Sequence, residues 1–322
     1  MCVQVEGSKD EHGADCGAVP FRARVCHGSH RESGNFLHLV RLRGKVWYRL
    51  KYSRQQDIEM NRQFQSLESA KMEIPEKLVS DAYLPANVGK NRNKNIVPAN
   101  RGRPFLSTPV ADHNDYINAV IVPSATQPLG LIATQTPLKD TVVDFWRLVF
   151  DHDCFTIVCL EDEGENQAIY PRKNESLNIG PFRLTTLKED TSRDSFTEME
   201  LNLALREQDN TLHQIRVFKV RSQIPGPTEP MLEFVNEIGR KGSSEEHKTL
   251  VHCLDGARLC GVFCSVLNII SRLRLDKEVD IYLTIRELQC IRPQFIQSYG
   301  QYKFCYDLVK EYLRDTCMYA NM

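Results

Sequence analysis

Residues 251–264 read VHCLDGARLCGVFC, and the way they are read decides the fold. An apolar run, KTLVHC (248–253), reaches a cysteine; a short loop with Gly256 and Gly261 follows; the apolar stretch VFCSVLNIISRL (262–273) comes next. A buried strand that feeds a helix through a glycine-bearing loop is an anion-binding arrangement, because backbone N–H groups and the helix N-terminus converge on one point. A cysteine at the mouth of such a loop is expected to be held as a nucleophilic thiolate; a buried cysteine that ends a core strand fits the same placement. Asp255, Arg258 and Leu259 complicate the picture, since they stand where a phosphate clamp would be sought.

Outward from this loop the chain alternates strands and helices. DYINAVIVP and LGLIATQTP read as strands, TVVDFWRLVFDHD as an amphipathic helix, and FTIVCLED as a continuously apolar strand of the buried kind. PFRLTTLKED, FTEMELNLALRE and LHQIRVFKVRS read as an antiparallel meander. EPMLEFVNEIGRKG is a helix stopped by glycine, and QSYGQYKFCYDLVKEYLRD a last amphipathic helix. DIEMNRQFQSLESAKM is a helix that ends before Pro75. The class is therefore α/β with a mixed sheet. Three segments are expected: a poorly ordered basic extension over 1–56, a domain over 57–315, and a short tail over 316–322. Within the extension, GNFLHLVRLRGKVWYRLKY (34–52) could form a basic amphipathic element.

Composition excludes several classes. With 41 basic and 42 acidic residues the formal charge is −1, so no global polarity points to nucleic acid. The 11 cysteines show no CxxC pairs and no zinc spacing, and their odd number reads as a reducing, cytoplasmic environment. No metal or cofactor is implied. No run of 18 apolar residues is present and the N-terminus lacks an apolar signal core, as expected of a cytoplasmic chain or of the cytoplasmic part of a truncated membrane receptor.

Taken in order, six stretches resemble the protein tyrosine phosphatase family over roughly Phe64 to Leu313. KNRNKNIVP (90–98) is similar to the substrate-recognition loop, DYINA (115–119) to a strand motif, and IATQTPLKDTVVDFWRLVF (132–150) is nearly verbatim. VHCLDGARLCGVFC lies at the signature loop, whose pattern is HC, five residues, Arg, then Ser or Thr and Gly; IQSYGQYKFCY (296–306) resembles the glutamine loop. QFQSL (63–67), RGRPFL (101–106), HCL and QYKFCY resemble in detail the second, membrane-distal domain of receptor-type phosphatases with meprin-type ectodomains. The fold implied is a highly twisted mixed sheet with helices on both faces.

The resemblance implies roles residue by residue. Cys253 takes the nucleophile position after His252, and Gln297 and Gln301 match the glutamines that position hydrolytic water. Gly256, Arg258, Gly261 and Asn93 fall in the substrate-binding loops. Several positions depart from the pattern. Where the family's clamping arginine stands, six residues after the cysteine, this chain has Leu259; Arg258 comes one residue early, about 100° around a helix. Cys260, a weak donor, replaces the hydroxyl that helps expel the thiolate. Gln223 and Ile224 fall where the Trp and Pro of the acid-bearing loop should be, and that loop, shortened here, holds no Asp. Asn93 replaces the aromatic ring on which phosphotyrosine stacks. The expectation is a catalytically impaired, phosphatase-like domain that binds phosphotyrosine signalling proteins or a catalytic phosphatase domain. Two alternatives stand beside it: a weakly active phosphatase working through a Cys253 thiolate, and a redox module built on Cys253, Cys260 and Cys264.

Overall fold

The computed structural model describes residues 39–42, 45–48, 54–125, 130–160, 169–206, 212–221, 223–241 and 247–320. Most of the expected N-terminal extension, and Gly242 of the helix stop, lie outside them. Asn35–Met322 forms one compact unit. Within the basic stretch, β1 (Leu39–Leu42) and β2 (Lys45–Tyr48) pair as an antiparallel ribbon. Helix α1 (Arg54–Ser69) follows, three residues shorter at its C-terminal end than its apolar spacing suggested.

The remaining strands build one eight-stranded sheet. They are β3 (Ala119–Val122), β4 (Leu131–Gln135), β5 (Cys154–Cys159), β6 (Ser176–Ile179), β7 (Phe182–Asp190), β8 (Phe196–Leu205), β9 (Leu212–Val220) and β10 (Lys248–Cys253), in the order β3-β4-β10-β5-β9-β8-β7-β6. β4, β10, β5 and β9 run parallel to one another, and the flanking strands are antiparallel. β10 therefore has a parallel partner on each side. That explains why KTLVHC and FTIVCL read as continuous apolar runs rather than alternating ones. The meander β7-β8-β9 alternates instead, with Phe182, Leu184, Met199, Leu201, Leu203, Ile215 and Val217 turned inward. β6, a four-residue edge strand with only half-buried and exposed residues, carries no apolar run that would have announced it.

Two cores sandwich the sheet. One holds Phe145, Trp146, Leu148 and Val149 of α2 (Val142–Asp151) against Ile132, Ile157 and Leu250. The other holds residues of α1, α3 (Thr228–Lys241), α4 (Arg258–Asp276), α5 (Ile281–Ile291) and α6 (Tyr299–Ala320). The mixed sheet with helices on both faces agrees with the sequence reading. Central helix α4 starts four residues before the apolar run, at Arg258, so all of its first turn belongs to the cysteine loop.

Candidate functional site

The site lies at the C-terminal end of β10, where parallel strands place ligand-binding loops. The backbone here is tightly held. Thr136 N–H donates to Cys253 O at 2.7 Å, Leu160 N–H to His252 O at 3.1 Å, and Gly256 N–H to Cys253 O at 3.1 Å. Gly256 has φ +67°, and a Cβ there would sit 2.5 Å from Gln135 N and 2.7 Å from Thr134 C. No other residue fits that turn without strain. Gly261 serves close packing instead: a Cβ would lie 2.8 Å from Phe295 Cα, and its own N–H is used by Ala257 O at 2.7 Å.

Beneath the loop, every polar handle of His252 is used. Its Nδ1 meets Thr136 Oγ1 at 3.0 Å and its Nε2 meets Tyr170 O–H at 2.8 Å, all in the core. Burial, with a smaller contribution from Lys219, pushes the imidazole down to about 3, so it is neutral near pH 7. Lys219 Nζ lies 5.4 Å from the Tyr170 ring centroid. His252 therefore acts as a structural post, with no free nitrogen facing the loop mouth.

A second buried network joins the recognition loop to the cysteine loop. Asn91 Oδ1 accepts from Tyr116 O–H at 2.7 Å and from Asn118 Nδ2 at 3.0 Å. Asn118 Oδ1 accepts from Arg292 Nη2 at 2.8 Å, and Arg292 Nη1 donates to Gly256 O at 2.7 Å. Arg292 is 1% exposed, and desolvation lowers its pKa below the usual guanidinium range. Burial raises the Tyr116 phenol to about 12. Gln135 closes the ring, donating to Lys90 O at 2.8 Å and accepting from Arg92 N–H at 3.0 Å. Sequence reasoning singled out neither Arg292 nor Asn118 as a site residue. Asn118 is inside the DYINA motif, but nothing local to IRPQF marks Arg292 as lying under the loop.

At the mouth the picture changes. Cys253 is 1% exposed, and its thiol donates to Asp255 Oδ1 at 3.4 Å. The same oxygen accepts from Ala257 N–H and Arg258 N–H, each at 2.9 Å. The loop donors at the start of α4 thus already hold a carboxylate from within the loop. Arg258 is exposed; its backbone N–H donates to Asp255 Oδ1 and its C=O accepts from Gln301 Nε2 at 3.3 Å. Leu259 is half-buried, packed against the core cluster on the α4 side of the sheet. The one-residue displacement read from sequence therefore corresponds to an arginine in solvent and a leucine packed inward.

The other expected site residues are placed as follows. Asn93 is exposed and folds back, its Oδ1 accepting from Asn95 N–H at 2.9 Å. Gln223 is exposed, while Ile224 is drawn into the core. Glu229 lies in the first turn of α3, 3.9 Å from Arg314. Gln301 is buried; its Oε1 accepts from Gln297 N–H at 2.7 Å and its Nε2 donates to Arg258 O, so both ends of its amide are occupied. Gln297 is exposed and donates to Gln294 O at 2.9 Å. Cys260 is buried beneath the loop with its Sγ 3.6 Å from Val251 O and 3.8 Å from Thr134 O, contacts that a serine hydroxyl would make at shorter range. Among the described residues no group of three or more His, Cys, Asp or Glu could hold a metal ion, and no helix is long and apolar enough to cross a membrane.

Comparison with known proteins agrees with this architecture. The chain is 28% identical over 267 residues to the chicken receptor-type tyrosine-protein phosphatase U, and 29% identical over 272 residues to the human receptor-type tyrosine-protein phosphatase alpha. These alignments cover 79% and 81% of this chain but 18% and 33% of the relatives, so the chain spans a third or less of their length. The solved catalytic domain of human protein tyrosine phosphatase non-receptor type 18 superposes with a TM-score of 0.71 at 24% identity, covering 80% of this chain and 98% of that one. The profile of the protein-tyrosine phosphatase family matches residues 87–311, and with the cysteine loop, recognition loop and glutamine loop converging on one end of the sheet, the chain belongs to that family.

Proposed function

We propose that this chain is a catalytically impaired protein tyrosine phosphatase-like domain that acts by binding in phosphotyrosine signalling, on the cytoplasmic side of the membrane. One observation carries this reading: Asp255 Oδ1 occupies the Ala257 and Arg258 N–H donors that a phosphoryl group would need. A dianionic ligand would have to displace that carboxylate and then sit beside it, where like charges a few ångströms apart repel. The reading gains support from Leu259, which packs inward where a forked guanidinium is required. Losing one preorganised donor typically costs about 3–4 kcal/mol of transition-state stabilisation, and a bidentate charged clamp more. With no carboxylic acid in the stretch around Gln223, the tyrosyl oxygen would leave without its proton.

Partners fitting this reading are phosphotyrosine signalling proteins or a catalytic phosphatase domain, bound through the surface around the loop. The roles of Cys253 as nucleophile position, and of Gln297 and Gln301 as retained helpers, belong to the same proposal. The deciding experiment is steady-state turnover of an aryl phosphate by the purified chain beside a Cys253→Ser control. The two should be indistinguishable; turnover of roughly 1–1000 per second, abolished by Cys253→Ser, would overturn the reading.

A further inference from the structure

Four half-buried rings stand in a row at the end of the sheet away from the cysteine loop: Phe150 of α2, His213 of β9, Phe155 of β5 and His247, the residue before β10. Phe150 and His213 stack with centroids 4.7 Å apart at 20°, His213 and Phe155 at 5.2 Å and 15°, and Phe155 meets His247 at 4.0 Å and 41°. The row crosses the sheet where its ladder is irregular. Lys248 pairs with Cys154 and Thr249 with Thr156, which leaves Phe155 bulged out of register. Side chains therefore hold the start of β10 where backbone pairing is interrupted, helped by Lys248 N–H donating to Asp153 O at 3.2 Å and Lys248 Nζ to His152 O at 3.1 Å. Little here can neutralise a proton. Burial, first of all, holds His213 below its ordinary 6.5; Asp153 draws it up and His247 pushes it down. The Asp151 carboxylate is taken by the Ser107 and Thr108 N–H groups, and His152 Nε2 meets Phe105 O at 2.9 Å. Leu203 of β8, opposite His213, is apolar, and burial pushes the Cys154 thiol up to about 12, so it stays neutral. His247 Nδ1 is buried with no hydrogen-bond partner. An imidazolium donates from both nitrogens, so a proton on His247 leaves a buried donor unpaired.

We propose that this row is a proton-operated latch: it fastens the start of β10 to β5 and β9 while both imidazoles are neutral, and it parts when both are protonated. One imidazolium against Phe155 is tolerated, because a phenyl face attracts a cation. The second brings a like charge to the same ring and a buried donor without an acceptor. Parting the row lets water reach both imidazolium groups and removes both penalties. The protons come from solvent and return to it. The latch is closed above about pH 6.5 and is lost as the pH falls through the lowered pKa of His213. Only the residues before the bulge are released, since from Thr249 onward β10 is paired with β4 as well as β5. The latch sits at the opposite end of β10 from Cys253 and holds whether or not the cysteine loop hydrolyses anything.

The test is an NMR titration of the full folded chain from pH 8 to 4.5, following the imidazole shifts and the Overhauser contacts between the rings. The contacts of Phe155 with His213 and His247 should vanish in one acid step, while Ile157 and Leu250, beyond the bulge, keep their shifts. His247→Phe keeps a ring and removes the charge; it should raise the His213 pKa and leave the Phe155–His213 contact intact through the range. Asp153→Asn changes an exposed residue at φ +52°, a conformation asparagine also adopts, so it needs no repacking; it should lower the His213 pKa further. A His213 pKa that does not move in either variant would overturn the proposal. So would ring contacts that survive in the parent chain after both histidines have titrated, or an acid step that shifts Ile157 and Leu250 along with the rings, as unfolding of the whole sheet does.

Discussion

The underside of the cysteine loop and its mouth are built from different residues of the same few segments, and they follow opposite rules. Underneath, His252, Arg292, Asn118, Asn91 and Tyr116 are almost wholly buried and linked by hydrogen bonds into two networks. At the mouth, Arg258, Asn93, Gln223 and Gln297 are exposed. A buried polar group that loses its partner keeps its full desolvation penalty, whereas an exposed one exchanges it for water. Chemistry can therefore be lost from the mouth with little effect on folding, while the floor that shaped it stays in place. Retention of the fold says little about retention of activity.

The comparison breaks first if the floor proves dispensable. Arg292→Met should strand two acceptors, Gly256 O and Asn118 Oδ1, in the core at about 1–3 kcal/mol each, read as a fall in the urea midpoint or a failure to fold. Gly256→Ala should follow at more than about 1 kcal/mol, because the new Cβ meets backbone atoms of β4 and the positive φ is unfavourable. An unchanged midpoint for either would mean that the floor does not hold the loop.

A pH titration sharpens the contrast. Burial lowers the His252 pKa to about 3, below its ordinary 6.5, so the unfolded chain binds the extra proton first. Its contribution is fully present above about pH 6.5 and is lost as the pH falls toward 3, with a slope of up to about 1.4 kcal/mol per pH unit. His152 and His213, also lowered by burial, contribute with the same sign. Unfolding free energies measured from pH 7 to 4 should decline, and His252→Asn should flatten that decline whatever its absolute stability.

The mouth yields the smaller effects. Asp255→Ala should free the Ala257 and Arg258 N–H groups and make a tungstate- or sulfate-dependent rise in Tm detectable where the parent chain shows none. No rise would mean that the loop no longer presents its N–H groups to an anion. On the proposed reading, Leu259→Arg with Asn93→Tyr should improve phosphotyrosine-peptide binding while turnover stays far below that of an active relative, because neither change supplies an acid in the stretch around Gln223. Arg258→Gln, at the bottom of the scale, should shift unfolding free energy by less than about 0.5 kcal/mol, as is usual for exposed positions.

Continuous apolar runs marked the parallel centre of the sheet, alternation marked the meander, and the ordered motifs located the loops around Cys253. Those signals are local: period two, period 3.6 and a glycine at a turn are properties of neighbouring residues. The missing acid, the absent ring and the displaced arginine are likewise visible in the amino-acid order, because they are identities at positions. Other features depend on which distant segments meet. Arg292 reaches Gly256 across 36 residues and Asn118 across 174, and no pattern within IRPQF records either partner. The inward packing of Leu259 required the core cluster on the α4 side of the sheet to assemble, and the closing of Gln301 on Arg258 O required α6 to dock beside the loop. Asp255 lies between the two cases. Its charge was legible as opposition to an anion, but its seat on the loop's own N–H donors depended on the left-handed turn at Gly256, which β4 holds from below. Sequence determined which groups are present at the site, and tertiary structure decided which of them are already taken, because a hydrogen-bond donor is used up by whatever folding brings within 3 Å of it.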